Sequence, residues 1–68
     1  MLRIVLERQR KGLSQAKLSR LADVNAASMN RIEKGKEPPY PYRGQRIADA
    51  LGWTRDYKEL FKEVTDDE

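Results

Sequence analysis

Residues 25–31 concentrate side chains that can form directional hydrogen bonds. The polar members of this segment are Asn25, Ser28, Asn30 and Arg31. An Asn amide can pair bidentately with adenine and an Arg guanidinium with guanine, so the chemistry open to this set is noncovalent recognition. The short side chains of Ala26 and Ala27 lie at the start of the same segment. Any function in recognition must explain why two alanines stand where long polar groups are expected.

Composition argues against covalent chemistry. The chain of 68 residues has no cysteine and no histidine. Disulfides, thiolate or imidazole nucleophiles and the usual zinc ligand sets are therefore excluded. One small domain leaves little room for a catalytic cleft, and an enzyme would need a carboxylate pair or an activated lysine in a pocket. We expect a binding protein with no enzymatic activity, no cofactor and no metal.

The charge is distributed unevenly along the chain. Residues 1–47 contain eleven Arg and Lys against four Asp and Glu, whereas residues 48–68 contain three against seven. The basic part suits a polyanionic partner and the acidic part does not. Mixed surface charge is also compatible with an ordinary soluble protein. Apolar runs are too short for a membrane span and Met1 leads into an amphipathic segment, so we expect a soluble cytoplasmic protein.

Apolar periodicity predicts five helices in one all-α domain over residues 1–65, followed by an acidic tail at residues 66–68. The predicted helix caps are short polar residues, Ser14, Asn25 and Thr54, and the predicted stops are Gly12, Gly35 and Gly52. The residues predicted to face the core are Leu2, Val5, Leu6, Leu18, Leu21, Ala22, Met29, Ile32, Ile47, Ala50, Leu51, Tyr57, Leu60, Phe61 and Val64. Three prolines make residues 37–42 a loop.

The connection between the second and third helices is very short. Only Asp23, Val24 and Asn25 separate them, which forces a sharp crossing with Val24 placed as a plug between the two helices. The turn favours a residue that tolerates positive φ. Asp reaches that region more readily than most residues, at a cost of about 1 kcal/mol.

The run GLSQAKLSRLADVNAASMNRIEKGK, residues 12–36, resembles the helix-turn-helix of the Cro and phage-repressor family, also called the Xre family. The matching features are LSQ at the second helix start, Leu18, Val24, Met29, Ile32 and the Glu-x-Gly of Glu33 and Gly35. Similarity continues through ADALGW, residues 48–53, so it covers most of the chain. Ser19 stands where the family prefers Ala and Asp23 where it prefers Gly. The resemblance implies a compact five-helix domain of lambda-repressor-like type.

The resemblance also implies which residues contact DNA. In this family the third helix, here residues 25–34, lies in the major groove with its N-terminal residues nearest the base edges. Small side chains let the helix approach the groove floor, and an Ala methyl can pack against a thymine methyl. The expected base contacts are Asn25, Ala26, Ala27, Ser28, Asn30 and Arg31. Alternatively, the alanines are simply good helix formers and Asn25 is only a cap.

Other residues are expected to contact phosphate. Gln15 resembles the backbone-contacting Gln of the family at the second helix N-terminus, and Lys34, Lys36 and Arg43 flank the recognition helix. Tyr40 and Tyr42 either add hydroxyl contacts or pack over the core. Lys17 and Arg20 are expected to be solvated.

The resemblance also implies an ion pair. An Arg in the first helix of this family often pairs with the Glu before the terminal Gly, which predicts an ion pair of Arg8 with Glu33; the alternative is unrelated exposed charges.

The resemblance further implies dimerisation. The family commonly dimerises on two half-sites, and Trp53, Tyr57 and Phe61 could supply a dimer interface or belong to the monomer core.

These features favour a sequence-specific regulator that binds double-stranded DNA. We expect a transcriptional repressor of phage or bacterial type that occupies an operator as a homodimer, in the cytoplasm and associated with the nucleoid. The alternative is a protein-interaction module with the same fold, such as an antitoxin or adaptor.

Overall fold

A computed structural model describes residues 1–65 of the chain as four α-helices and one 3₁₀ helix. The helices are α1 (Arg3–Arg10), α2 (Gln15–Ala22), α3 (Ala26–Glu33), α4 (Arg43–Leu51) and the 3₁₀ helix (Tyr57–Phe61). Over the described range there is no β-strand, although Leu2 and Glu63 form an isolated antiparallel bridge. The acidic tail predicted at residues 66–68 lies outside the described residues. Among residues 1–65, no helix is long and apolar enough to span a bilayer.

Local capping explains where the middle helices begin and end. The Ser14 hydroxyl accepts a hydrogen bond from the Lys17 N–H at 3.0 Å and so satisfies one of the unpaired donors in the first turn of α2. After α3, Gly35 adopts a φ of +74°, and Gly52 ends α4 with a φ of +68°. Both glycines reach the left-handed region without a Cβ penalty. The predicted start of α2 and the predicted ends of α3 and α4 are confirmed.

The core consists of one side chain or more from every helix. Its largest fully buried members are Ile4, Leu18, Met29, Ile32, Ile47 and Leu60. The prediction that Leu21 faces the core is wrong, because its side chain is 53% exposed. On α2 the buried residues are Leu18, Ser19 and Ala22. The face of the helix that carries these residues packs against the core, and Leu21 lies outside it. Ser19 is accommodated there because its hydroxyl donates to the Gln15 carbonyl at 2.9 Å.

The first helix is also rotated relative to its prediction. Ile4 is fully buried, although the sequence pattern placed Leu2, Val5 and Leu6 on the inner face. Leu2 and Val5 pack against the core from partly exposed positions, and Leu6 is half-buried. Because three consecutive apolar residues occur in this short helix and Leu2 precedes them, periodicity alone did not identify the residue that is most deeply buried.

The prediction of a fifth α-helix capped by Thr54 is wrong. The segment forms a single 3₁₀ helix, and its cap is Asp56, whose carboxylate accepts from the Lys58 N–H at 3.0 Å. The backbone is already extended at Lys62, whose carbonyl accepts from the Arg3 N–H at 3.0 Å. Pairing with the N-terminal segment therefore takes the backbone donors and acceptors that a longer helix would use. Val64 is buried as predicted, but it lies in this extended segment.

Candidate nucleic-acid interface

The turn between α2 and α3 is built around Asp23 and Val24. Asp23 adopts left-handed backbone angles, φ 55° and ψ 49°, as its place in the turn predicted. Val24 is buried, and its N–H donates to the Ser19 carbonyl at 2.9 Å. This residue plugs the corner between the two helices, which is the expected packing of a helix-turn-helix.

Arg46 of α4 holds the end of α2, a role that the sequence reasoning missed. Its Nε donates to the Ala22 carbonyl at 3.0 Å and its second terminal nitrogen to the Asp23 carbonyl at 3.3 Å. These carbonyls belong to the last turn of α2, where helix acceptors lack intrahelical partners. A cation at this end also suits the helix dipole. The turn is therefore fixed from α4 as well as by its own residues.

The outer face of α3 presents short side chains first and cations later. Ala26, Ala27, Arg31 and Lys34 are exposed, whereas Met29, Ile32 and Glu33 are buried. Ser28 and Asn30 lie at intermediate exposure at the margins of this face. The N-terminal end of α3 can therefore approach a partner surface closely, because the side chains at two successive exposed positions are only methyl groups.

Asn25 is the N-cap of α3. Its Oδ1 accepts from the Ala27 N–H at 2.8 Å and from the Ser28 N–H at 3.4 Å. Bidentate pairing with adenine requires both the oxygen and the amide nitrogen of the side chain. Capping and base pairing therefore compete for the same oxygen, and the amide nitrogen is the group better suited to an outside partner.

A buried carboxylate joins α1, α2 and α3. Glu33 is 7% exposed and accepts from Arg8 through Nε at 2.8 Å and a terminal nitrogen at 3.1 Å. Gln15 also donates to Glu33 at 3.0 Å and accepts from Asn30 at 3.3 Å. Arg8 reaches the Leu13 carbonyl at 2.9 Å with its remaining terminal nitrogen. This arrangement is a hydrogen-bonded ion pair with good geometry, which a buried charge requires.

This arrangement gives Gln15 and Asn30 internal partners. They had been expected at a phosphate and at a base respectively, and both side chains are only partly exposed. Each side chain still has hydrogen-bonding capacity beyond these contacts, because an amide side chain carries two donors and an acceptor with two lone pairs. Their contacts with DNA stay predictions.

A second carboxylate, Glu37, lies between two arginines on the surface. It accepts from Arg31 Nε at 2.6 Å and from a terminal nitrogen of Arg43, which also reaches the Pro38 carbonyl at 3.0 Å. The Arg31 and Arg43 guanidinium groups hold the pKa of Glu37 at about 2, below its usual value of 4.5. Sequence reasoning missed Glu37; the signal available was a lone acid directly after a basic run.

The remaining expected phosphate contacts, Lys34 and Lys36, are exposed beside the C-terminal end of α3. Lys17 and Arg20 are exposed on α2, in agreement with their predicted solvation. The structure therefore brings cations to the end of α3 and to the loop that follows. Their positions suit phosphate groups on either side of a helix that enters a groove.

The aromatic residues cluster on the side of the 3₁₀ helix. Trp53, Tyr57 and Phe61 are partly buried and pack against the core. Tyr40 adds edge contacts, with ring centroids 5.9 Å from Tyr57 and 6.4 Å from Phe61. Tyr42 is 73% exposed. Tyr40 therefore packs on Tyr57 and Phe61 with 44% of its surface exposed, and the dimer role of Trp53, Tyr57 and Phe61 stays a prediction.

A comparison with known protein families identifies the domain. A family model described as "Helix-turn-helix domain" matches residues 4–61 of the 68. The chain belongs to this helix-turn-helix family. The family is of the Xre and Cro-like type, so the resemblance seen in the sequence is confirmed. A search of curated proteins and a search of solved structures gave no match.

Membership of the helix-turn-helix family assigns α2 and α3 to the motif. In the helix-turn-helix domain, α2 and α3 are the two helices of the motif and α3 is the recognition helix. The domain suggests a DNA-binding regulator, and the family is typically non-enzymatic. Arg46 and Glu33 therefore fix the positions of helices that belong to this motif.

Proposed function

We propose that this helix-turn-helix protein is a sequence-specific transcriptional regulator that inserts α3 into the major groove of an operator. By occupying that site it acts as a repressor of phage or bacterial type. The observation that carries the proposal is the exposed face of α3, where Ala26 and Ala27 precede Arg31 and Lys34. This order of side chains matches a helix whose N-terminal end reaches the bases and whose C-terminal end meets the backbone.

The alanines support close approach of α3 to the bases. Their methyl groups keep the helix axis near the groove floor and can contact thymine C5-methyl groups. Directional readout then falls to the polar groups at the margins of the face, Asn25, Ser28 and Asn30, and to Arg31. A single good bidentate pair contributes about 1–3 kcal/mol of discrimination against the wrong base.

Phosphate contacts come from groups around the groove. Lys34 and Lys36 are exposed beyond the recognition helix, and Gln15 begins α2, whose first-turn N–H groups and dipole favour an anion. These contacts set the orientation of the domain on the duplex and carry no sequence information. They also make the affinity fall as salt rises.

The size of the domain suits a homodimer on DNA. Its principal dimensions are 29 × 23 × 22 Å, and half-sites one helical turn apart place two domain centres about 34 Å from each other. Two copies fit side by side at this spacing and meet only at their rims. The surface that we propose for this contact is the outer side of the aromatic cluster of Trp53, Tyr57 and Phe61, whose inner side packs against the core.

The proposal is tested by selecting bound sequences from a random duplex library at low and near-physiological salt. Wild-type protein should enrich an inverted repeat with half-sites about ten base pairs apart. Arg31→Gln should lose the preference for guanine at one position per half-site. Arg10→Gln is the matched control, since Arg10 is similarly exposed, pairs with Glu7 and lies on α1; its motif should equal that of the wild type.

The alternative function is a protein-interaction module such as an antitoxin or adaptor. It is favoured by the internal contacts of Gln15, Asn30 and Arg31, three residues that were expected to contact DNA. The same selection separates the two functions. Absence of an enriched motif, with binding lost as salt rises, would leave only phosphate attraction and favour the protein-interaction module.

A further inference from the structure

Glu37 connects the recognition helix to α4. Its Oε1 accepts from Arg31 Nε on α3 at 2.6 Å, and its Oε2 accepts from Arg43 at the start of α4. The Glu37 side chain is 20% exposed, compared with 51% for Arg31 and 30% for Arg43. The acid is thus the best covered of the three groups, and the outermost is the arginine on α3.

The contacts of Arg31 occupy one edge of its guanidinium group. Glu37 accepts from Nε, and Ser28 Oγ on α3 accepts from the terminal nitrogen Nη2 at 3.4 Å. A guanidinium group is planar and holds its donors in a fixed fork, so fixing the Nε edge also fixes the direction of the other edge. The edge between the two terminal nitrogens is directed away from Glu37. It has the geometry that binds two acceptors, such as guanine O6 and N7.

Arg43 holds the Glu37 carboxylate on the side opposite Arg31, through the second carboxylate oxygen. One terminal nitrogen binds the Glu37 carboxylate and the other donates to the Pro38 carbonyl at 3.0 Å. Pro39 forms a further hydrogen bond to α4, because its carbonyl accepts from the Gly44 N–H in the first turn of that helix. The loop that carries Glu37 is therefore attached to the start of α4 at three points, which gives the carboxylate a fixed position.

We propose that Glu37 is a specificity-determining positioning residue, which holds Arg31 by its Nε edge so that the terminal nitrogens read a guanine in the major groove. Arg43 belongs to this relay as the group that holds Glu37, and is not primarily a phosphate contact. The inference rests on the proposed function, and it adds a residue outside α3 that controls what α3 reads.

The carboxylate has a second effect, because it opposes nonspecific attraction to phosphate. Arg31 and Arg43 bring two positive charges to the surface, and Glu37 offsets one of them while it is ionised. Removing that negative charge strengthens sequence-independent binding and steepens its dependence on salt. Loss of Glu37 should therefore raise affinity for the wrong sequences while it weakens discrimination among them.

The test uses Glu37→Gln, which keeps the shape of the side chain and removes the charge. Dissociation constants are measured for the selected site, for three duplexes with each other base at the Arg31-dependent position, and for a scrambled duplex. Glu37→Gln should reduce the preference for guanine about tenfold, within the range of one bidentate pair, and bind the scrambled duplex more tightly. Glu7→Gln is the matched control, because Glu7 also lies between two arginines, Arg10 at 3.0 Å and Arg3 at 3.7 Å, and the substitution removes the same negative charge on α1.

Two more variants separate positioning from simple charge. Arg43→Gln should also lower the preference for guanine, whereas loss of a phosphate contact would weaken all duplexes alike and keep the preference. In the Arg31→Gln background, Glu37→Gln should leave base preference unchanged because the group that it positions is gone. Circular dichroism melting of each variant checks that the domain is folded.

The binding measurements distinguish failure of the positioning role of Glu37 from failure of the proposed function. If wild-type protein enriches a motif and Glu37→Gln keeps full preference for guanine, the positioning role is overturned while the proposed function stands. A uniform rise in affinity for all duplexes, with preference retained, overturns it equally and leaves only an electrostatic effect. If wild-type protein enriches no motif, the proposed function fails and the positioning role fails with it.

Discussion

Arg8 Nε of α1 lies 2.8 Å from Glu33 Oε2 of α3, and the Glu33 side chain is only 5% exposed. This ion pair attaches the first helix to the back of the recognition helix. Truncating Arg8 would leave the Glu33 charge buried without its main partner, which costs far more than the loss of an exposed pair.

Arg8→Ala should therefore lower the free energy of unfolding by about 3 kcal/mol, measured by urea denaturation at neutral pH. Arg55→Ala is the control, since its pair with Glu59 is exposed and 4.0 Å long, and it should change stability by less than about 1 kcal/mol. Equal stability of Arg8→Ala and wild type would show that the pair does not hold α1 on α3.

The contact of α4 with the 3₁₀ helix depends on the lack of a side chain at Gly44. A Cβ placed there would lie 2.7 Å from Tyr57 Cδ2 and 2.8 Å from Tyr57 Cε2, inside van der Waals contact. Gly44→Ala should destabilise the domain by about 1–3 kcal/mol, although Ala is the better helix former. Gln45→Ala, on the exposed side of α4, should leave the stability nearly unchanged. The melting temperatures of the two variants, measured by thermal unfolding, test the prediction.

Asp23 occupies the left-handed position in the turn of the motif, with φ 55°. Because Gly adopts this conformation without a Cβ clash, Asp23→Gly should raise stability by roughly 1 kcal/mol. Lys17→Gly, an exposed helical position on α2, should lower it by about the same amount. Chemical denaturation of both variants tests the prediction, and a destabilised Asp23→Gly would contradict it.

The pKa of Glu37 gives a prediction about pH. The Arg31 and Arg43 guanidinium groups lower this pKa from 4.5 to about 2. A lowered pKa in the folded state means that the carboxylate stabilises the fold fully above pH 4.5 and loses that contribution as the pH falls toward 2. A carbon NMR titration of the Glu37 carboxyl should place its midpoint near pH 2, and Arg31→Gln should move the midpoint upward. A midpoint that Arg31→Gln leaves in place would argue against the contact.

Phe61 distinguishes the core from a dimer interface. The ring packs against the core and contacts Tyr40 at 6.4 Å between centroids. We expect Phe61→Ala to lower monomer stability by about 3 kcal/mol, because a large ring is lost from a packed site. If the variant is instead as stable as the wild type but sediments as a monomer on operator DNA, Phe61 belongs to the dimer contact.

Local sequence signals located most of the motif. Ser14 and Asn25 are short polar residues at the starts of helices, and Gly35 and Gly52 lie where the chain must leave a helix with positive φ. Such preferences act within a few residues and need no tertiary partner. Charged residues were harder to assign: the family resemblance predicted the pair of Arg8 with Glu33, but nothing in the sequence indicated that Glu37 pairs with Arg31 and Arg43.

The sequence by itself determined a small all-helical domain of the helix-turn-helix family, with Val24 in the corner between α2 and α3. Tertiary structure decided that Ile4 rather than Leu6 is fully buried, that Leu21 faces outward, and that residues 57–61 form a 3₁₀ helix. It also decided that Glu37 meets Arg31 and Arg43. The physical reason is range: capping and helical periodicity are local, whereas burial and ion pairing depend on residues that are brought together only when the chain folds.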